Sequence, residues 1–558
     1  MSDRARRLGA TAGWVILLLP LVVVLVSVAL SPESNWTVRT ALAGFCTLAI
    51  ARPEAALLVT IALVGFGTIL SHLAGVPMLR VTEVLVVGSM AGCVVRAIPR
   101  GSLFRRALTA RISTPVVLFA VAIVASLTVW LRVYQVETTY PSAYVLSLLR
   151  FLVRDYFVQP GDFAVLVTAT LVLEGLALYV VAAALCQLDS TFFERALRML
   201  VLGGAGLAVM SVVRLGEIVL RSPGAIEALR ATSAGLRISP QIGDYIAAGS
   251  YFALCWLVAL GVAMAASRRR LLWVLAGTPL MAALYLTGSR SGIAAALVGL
   301  AALLFSVIRQ KAAAVRAIVA FALVTVLVMI LSYKWTVGRD VAGTMAMQSL
   351  IVRVELIRAG VQTLATRPLF GIGFDRFFLV AGGFASPQLR ALWPGRMNPH
   401  NDFLRFGAEL GLIGLALFLW ILVGASKRMW TGLHMTRDAR LAGLASGLVA
   451  FLVTSLVSNP LMVREVSYVF WIALGLAAGR SVPRVATRSV PESGFGAEAR
   501  RSRFPRLQLA AAWVLGGVLV FSIPFRARQE LAAVDLMHVA YGFFEWGKEP
   551  DGTPSRWS

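Results

Sequence analysis

The chain has 558 residues; 59% are hydrophobic, only 14% are charged, and the mean hydropathy is +0.81. Soluble proteins are roughly 45–50% apolar and about 25% charged, so this composition excludes a soluble globular enzyme, and it equally excludes a disordered chain, which would lack apolar residues to bury. In a chain this apolar, the net charge of +25 is first a matter of membrane topology and needs no nucleic-acid partner.

A membrane-spanning helix needs about 20 mainly apolar residues. At the N-terminus Arg4, Arg6 and Arg7 precede the apolar run Trp14–Leu30. No small-x-small cleavage site follows, and Ser31-Pro32-Glu33 leads straight toward the next apolar segment, so the run reads as an uncleaved first span. Further spans are predicted at 38–51, 55–74, 79–98, 114–133, 163–186, 197–220, 243–266, 271–287, 292–308, 314–333, 403–425, 441–458, 466–479 and 508–524. The fold class is therefore an all-α polytopic membrane protein with about 14–15 transmembrane helices. Residues 334–402 contain no spanning run and form one large extramembrane loop.

These spans divide the chain in order. N-terminal spans occupy 1–196, a second group 197–333, and the large loop 334–402. Further spans fill 403–479, an Arg/Ser/Pro-rich linker runs over 480–506, and a last span with a short aromatic tail occupies 507–558. Alternating the loops from an N-terminus on the cytoplasmic side puts 28 basic residues and 7 acids on that side. The other side receives 24 basic residues and 19 acids. The asymmetry is the one that the positive-inside rule predicts. Cys46, Cys93, Cys186 and Cys255 each lie alone in or beside apolar runs without CxxC spacing, and read as small buried hydrophobes.

Within the second group, Arg214 and Glu217 lie one turn apart in the span 197–220, and Glu174 in the preceding span is a candidate partner for Arg214. Arg237 opens a polar stretch, Arg237-Ile238-Ser239-Pro240-Gln241-Ile242-Gly243-Asp244, just before the span at 243–266. Gly288-Ser289-Arg290-Ser291-Gly292 joins two spans on the outer side. Such a tight hairpin presents backbone N–H groups and a guanidinium together, which suits phosphate oxygens. It equally suits a plain helical hairpin whose Arg290 snorkels to lipid headgroups.

The large loop carries Lys334, Arg339, Arg353, Arg358, Arg367, Arg376, Arg390 and Arg396. Arginine on the outer side fits either a solvated loop surface or an anionic ligand, since guanidinium matches phosphate bidentately. Arg353 and Arg358 fall on an amphipathic helix that reads as lying on the membrane, which Arg367-Pro368-Leu369-Phe370-Gly371-Ile372-Gly373-Phe374-Asp375 then breaks. His72, His434 and His538 are incidental. His400 lies in Asn398-Pro399-His400-Asn401-Asp402, whose proline and Asn/Asp cluster mark a helix start. Asp402, Arg405 and Glu409 follow at spacings of three and four, so they share a face and can pair. An ionisable stripe entering a membrane helix is by default functional.

Four elements in this order resemble the O-antigen ligase and Wzy-type polymerase superfamily. They are Arg237 to Asp244, the Ser289-to-Gly292 hairpin, Arg353 with the Pro-Leu-Phe-Gly-Ile-Gly run, and Pro399-His400-Asn401 through Glu409-Leu410-Gly411-Leu412-Ile413-Gly414. The resemblance covers roughly residues 200–480. It departs at Gly243-Asp244-Tyr245, where members commonly show Gly-Asn/Asp-Pro-Asn.

What the resemblance implies is a GT-C-type inverting glycosyltransferase of the bacterial inner membrane that works without a metal or other cofactor. It would move a glycan from undecaprenyl pyrophosphate to an acceptor hydroxyl at the periplasmic face, the acceptor being lipid A core or another lipid-linked repeat. By the same analogy His400 is the general base, and Arg290 and Arg353, with Arg237 and Arg214, hold the pyrophosphate. Asn401, Arg405 and Glu409 support them. A Wzy-type polymerase of O-antigen or exopolysaccharide shares these residues. A transporter or flippase of lipid-linked glycans is the reading from another class.

Overall fold

The computed structural model describes residues 21–31, 34–76, 79–97, 114–137, 147–158, 161–189, 191–221, 244–308, 339–392 and 397–480, with isolated positions within 224–242 and 312–323. Arg237, most of the span predicted at 314–333, the 480–506 linker, and the last span with its tail lie outside them. The described residues form helices and no strand. In chain order the helices are α1 (Leu21–Leu30), α2 (Trp36–Ala51), α3 (Pro53–Leu73), α4 (Val81–Ala97), α5 (Thr114–Glu137), α6 (Ala164–Leu188) and α7 (Phe192–Arg221). They continue as α8 (Tyr245–Ala265), α9 (Arg270–Leu286), α10 (Arg290–Val307), α11 (Arg339–Thr366), α12 (Phe377–Phe384) and α13 (Pro387–Leu392). The last three are α14 (Asp402–Thr436), α15 (Ala439–Ser455) and α16 (Arg464–Arg480).

Seven of these helices are long and apolar enough to cross a membrane, and five more are shorter apolar helices, counted among the described residues. The protein is an all-α, multi-pass membrane protein. The helix starts follow local chemistry. Asn35 caps α2 through Val38 N at 2.9 Å, Pro53 occupies the first turn of α3, and Asp438 caps α15 through Arg440 N at 3.0 Å. The four cysteines are buried and unbridged.

The centre of the bundle is built on α6, α8, α15 and α16. The apolar window of α8 is 94% buried and that of α6 is 83% buried, so neither faces lipid along most of its length. Lipid tails are as apolar as leucine, so these helices gain little from hydrophobicity and associate by close packing instead. Small residues line their crossings. Gly261 of α8 faces Gly443 of α15, and a Cβ on either would stand 2.7 Å from the Cα of the other. Gly175 of α6 receives the indole of Trp471, while Gly475 and Gly479 of α16 lie on the backbone of α6 at Tyr179 and Ala183.

The described part of the loop predicted over 334–402 is not only surface. α11 packs along α14, with Gly360 against Leu404. The turn after it, 368–375, inserts between α5, α6 and α14.

The glycine crossing gives a direct check. Gly443→Val should lower stability by about 1–3 kcal/mol through overpacking, read as a lower melting temperature in detergent. Gly424→Ala, where the added Cβ meets open space, should stay within about 0.5 kcal/mol of the parent.

Candidate active site

The site starts from an interruption in α14. Gly411 has φ 71° and ψ −174°, so the helix breaks there. A break of this kind leaves the carbonyls of Ala408 and Glu409 without their i+4 partners, and the N–H groups of Leu412 and Ile413 without acceptors. The 368–373 turn meets all four. Ile372 N donates to Ala408 O at 3.0 Å and Gly373 N to Glu409 O at 2.9 Å. Leu412 N donates to Pro368 O at 2.7 Å and Ile413 N to Leu369 O at 3.4 Å. The two backbones are so close that a Cβ on Gly411 would run into the Leu369 carbonyl, and one on Gly371 (φ +70°) into the Glu409 carbonyl. The two glycine-bearing motifs are therefore the two halves of one joint.

Charge locks that joint. The Arg405 guanidinium is 2% exposed; its Nη2 donates to Asp375 Oδ1 at 2.9 Å and its Nε to Glu409 Oε1 at 3.2 Å. Thr168 of α6 donates to the second Asp375 oxygen at 2.8 Å, and Ser126 of α5 accepts from Phe374 N at 2.8 Å. The pairing of Arg405 with Glu409 follows from their spacing of four. The main cross-chain partner, Asp375, does not, because it lies 30 residues earlier.

Above the joint, Asn401 caps α14 through Leu404 N at 2.9 Å, and its amide donates to the Leu456 carbonyl at 2.9 Å. His400 immediately precedes this cap with φ 46°, a left-handed conformation uncommon outside glycine and stored as backbone strain. Its ring is half-buried. Burial pushes its pKa below the usual histidine value, the positive charge of Arg353 on α11 pushes the same way, and the Asp244 carboxylate opposes both. The imidazole is thus neutral at neutral pH and can accept a proton.

Two further helix starts belong to the same end. Asp244 caps α8, accepting from Ile246 N at 2.7 Å and Ala247 N at 3.1 Å. Ser289 caps α10, accepting from Gly292 N at 3.1 Å, after the turn at Gly288 (φ +63°). α10 begins against the second turn of α8, where a Cβ on Gly249 would stand 2.8 Å from Ser289 Cβ. Helix N-termini carry partial positive charge and favour anions. Arg290, the first residue of α10, is exposed at this start.

Residues 274–419 match the O-antigen ligase family. The matched segment runs from α9 into α14 and carries Arg290, Arg353, Asp375, His400, Arg405, Glu409 and Gly411. The resemblance to the O-antigen ligase and Wzy-type superfamily is borne out over that segment. It supports a ligase- or polymerase-type role in O-antigen biosynthesis for this multi-pass membrane protein. No curated protein matches the chain.

Arg353 and Asp244 stand within electrostatic reach of His400, and Arg405 joins Asp375 and Glu409. Arg214 takes the partner one turn away and not Glu174. It pairs with Glu217 at 2.8 Å on a half-exposed face of α7, and Glu174 instead accepts a hydrogen bond from Tyr468. The reason is geometric, since Glu174 points into the packed α6–α16 contact. Arg237 lies outside the described residues. Asp244 and Asp375 are contributors that the sequence did not single out. The one signal for Asp375 was its place directly after the glycine run.

Arg405→Met should strand two buried carboxylates and lose about 3–5 kcal/mol, measured as loss of the folded, monodisperse fraction in detergent. The triple variant Arg405→Met, Asp375→Asn, Glu409→Gln should recover part of that loss.

Proposed function

We propose that this protein is a glycosyltransferase of the O-antigen ligase type. It transfers a glycan from undecaprenyl pyrophosphate to an acceptor hydroxyl at the periplasmic face of the inner membrane. The observation that carries this reading is a half-buried, neutral His400 within electrostatic reach of the cationic Arg353 in the ligase-like segment. A base and a cation side by side are what a pyrophosphate leaving group and a hydroxyl nucleophile require.

In the reaction the acceptor oxygen bonds to the anomeric carbon and its proton passes to His400. The carbon–oxygen bond to the pyrophosphate breaks, and its electron pair leaves with the phosphate oxygen. Arg353, Arg290 and the N-terminal ends of α8 and α10 neutralise the charge that develops there. Attack opposite the pyrophosphate inverts the anomeric carbon. Arg405 and Glu409 act indirectly, by holding the joint from which the His400 turn rises.

The test is transfer by purified protein from an undecaprenyl-pyrophosphate glycan, with lipid A core and a lipid-linked repeat offered separately. Product on the core supports a ligase, and a lengthened lipid-linked chain supports a polymerase. His400→Ala should lower the rate by about 10²–10⁴-fold with normal membrane insertion. Full activity of that variant overturns the role.

The pH profile has a defined sign. Activity should fall as His400 gains its proton, with the acid limb below the ordinary histidine pKa. Arg353→Ala removes a charge that lowers this pKa, so the limb moves to higher pH. Asp244→Asn removes one that raises it, so the limb moves lower. The position of the limb is the readout, independent of its height.

A further inference from the structure

A second polar surface adjoins the segment that carries His400. It is formed where the segment 398–402 meets the turn 455–462 that leads into α16. Three bonds stitch the two together: Asn401 Nδ2 to Leu456 O at 2.9 Å, Leu461 N to Asp402 Oδ2 at 3.3 Å, and Asn398 Nδ2 to Met462 Sδ at 2.9 Å. Between them lie buried polar atoms with no hydrogen-bond partner. These are Asn398 Oδ1, Ser458 Oγ, and both Oδ1 and Nδ2 of Asn459, while the Asp402 carboxyl accepts from Leu461 N and neighbours the Ser455 hydroxyl. Asp402 and Ser458 are fully buried, and Asn459 is 4% exposed with neither end of its amide bonded. Folded proteins rarely leave such atoms unpaired, and a cluster of them beside a candidate base needs an explanation.

The inventory selects the ligand. Acceptors on Asp402, Asn398 and Asn459 are mixed with donors on Asn459 and Ser458. No arginine is available to the cluster from its own two segments. Of the arginines just beyond them, Arg405 is committed to Asp375 and Glu409, and Arg464 is paired with Glu83. A carboxylate without a free cation repels phosphate. A sugar, whose hydroxyls both donate and accept, satisfies this mixture.

We propose that the seam between 398–402 and 455–462 is the acceptor-sugar subsite, with Asn459, Ser458 and Asp402 reading the hydroxyls that flank the attacking one. The proposal rests on the glycosyltransferase reading and adds a direction to it. The pyrophosphate approaches His400 from the Arg353 side and the acceptor from the Asn459 side. The polar atoms are closed to solvent, so the sugar reaches them by parting the 455–462 turn from 398–402. The contacts it breaks are these three: the Asn401–Leu456 bond, a long hydrogen bond from Leu461 N and one accepted by sulfur. The binding energy of the correct acceptor would drive that opening, which is a route to specificity. Asn459 and Ser458 lie outside the ligase-matched segment, which ends at residue 419.

The experiment is steady-state transfer by purified full-length protein, varying the undecaprenyl-pyrophosphate glycan and the acceptor that the parent uses in turn. Asn459→Ala and the milder Ser458→Ala are compared with the parent, with folding checked by size exclusion. The expected result is a KM for acceptor raised by about tenfold or more, with an unchanged KM for donor. Acceptors lacking single hydroxyls next to the attacked one should be discriminated against by the parent. At one such position Asn459→Ala should lose that discrimination. A raised donor KM, or unchanged constants in folded variants, overturns the subsite. A parent that transfers to neither acceptor overturns the glycosyltransferase reading, and the subsite falls with it.

Discussion

A helix that breaks inside an apolar medium leaves backbone groups that neither water nor lipid can satisfy. In α14 the break at Gly411 frees two carbonyls and two N–H groups, and the 368–373 turn bonds to all four. Everything else at this end of the protein follows from that repair. The turn must lie flat against the helix, so both strands of the joint carry glycine where they touch. The turn then delivers Asp375 to Arg405, Phe374 to Ser126 and a second Asp375 bond to Thr168. One backbone requirement thus fastens α5, α6 and α14 together directly beneath His400.

Buried charge reinforces the same end twice. Beside the Asp375–Arg405–Glu409 lock, Glu83 on α4 pairs with Arg80 at 2.6 Å and with Arg464 at the start of α16 at 3.7 Å, and accepts a hydrogen bond from Tyr156. The Arg80 guanidinium lies over the rings of Tyr156 and Phe157, 4.7 and 4.8 Å from their centroids. Burying charges is expensive unless every one is paired. These pairs hold the beginnings of α4 and α16 at fixed positions. Since α16 is preceded by the 455–462 turn, the second network also anchors the wall that faces His400.

The outcome is an asymmetric setting for one imidazole. Arg353 and Asp244 act on the ring through their charges, and the residues around it, Asn398, Asn401 and Asp402, are bonded to the 455–462 turn. His400 itself is strained, in a left-handed conformation immediately before a capped helix. Strain of this kind persists only where surrounding structure fixes it. The Asn401 cap and its bond to Leu456 supply that fixation.

Hydrophobic run length alone determined the helical, membrane-spanning architecture, because a 30 Å apolar layer imposes length and composition on each span separately. The helix start in the Asn398–Asp402 cluster was legible too, since capping is a local bond between a side chain and N–H groups two or three residues on. The Arg405–Glu409 pair was legible for the same reason. What the sequence could not decide was which distant groups meet. Glu174 read as a candidate partner for Arg214, but the packing of α6 on α16 turns the carboxylate to Tyr468. Asp375 became the anchor of Arg405, and Asn459 a neighbour of the His400 turn, only when chains 30 and more residues apart were brought together. Local periodicity carries no information about such contacts; the tertiary structure chose them by repairing a broken helix and pairing its buried charges.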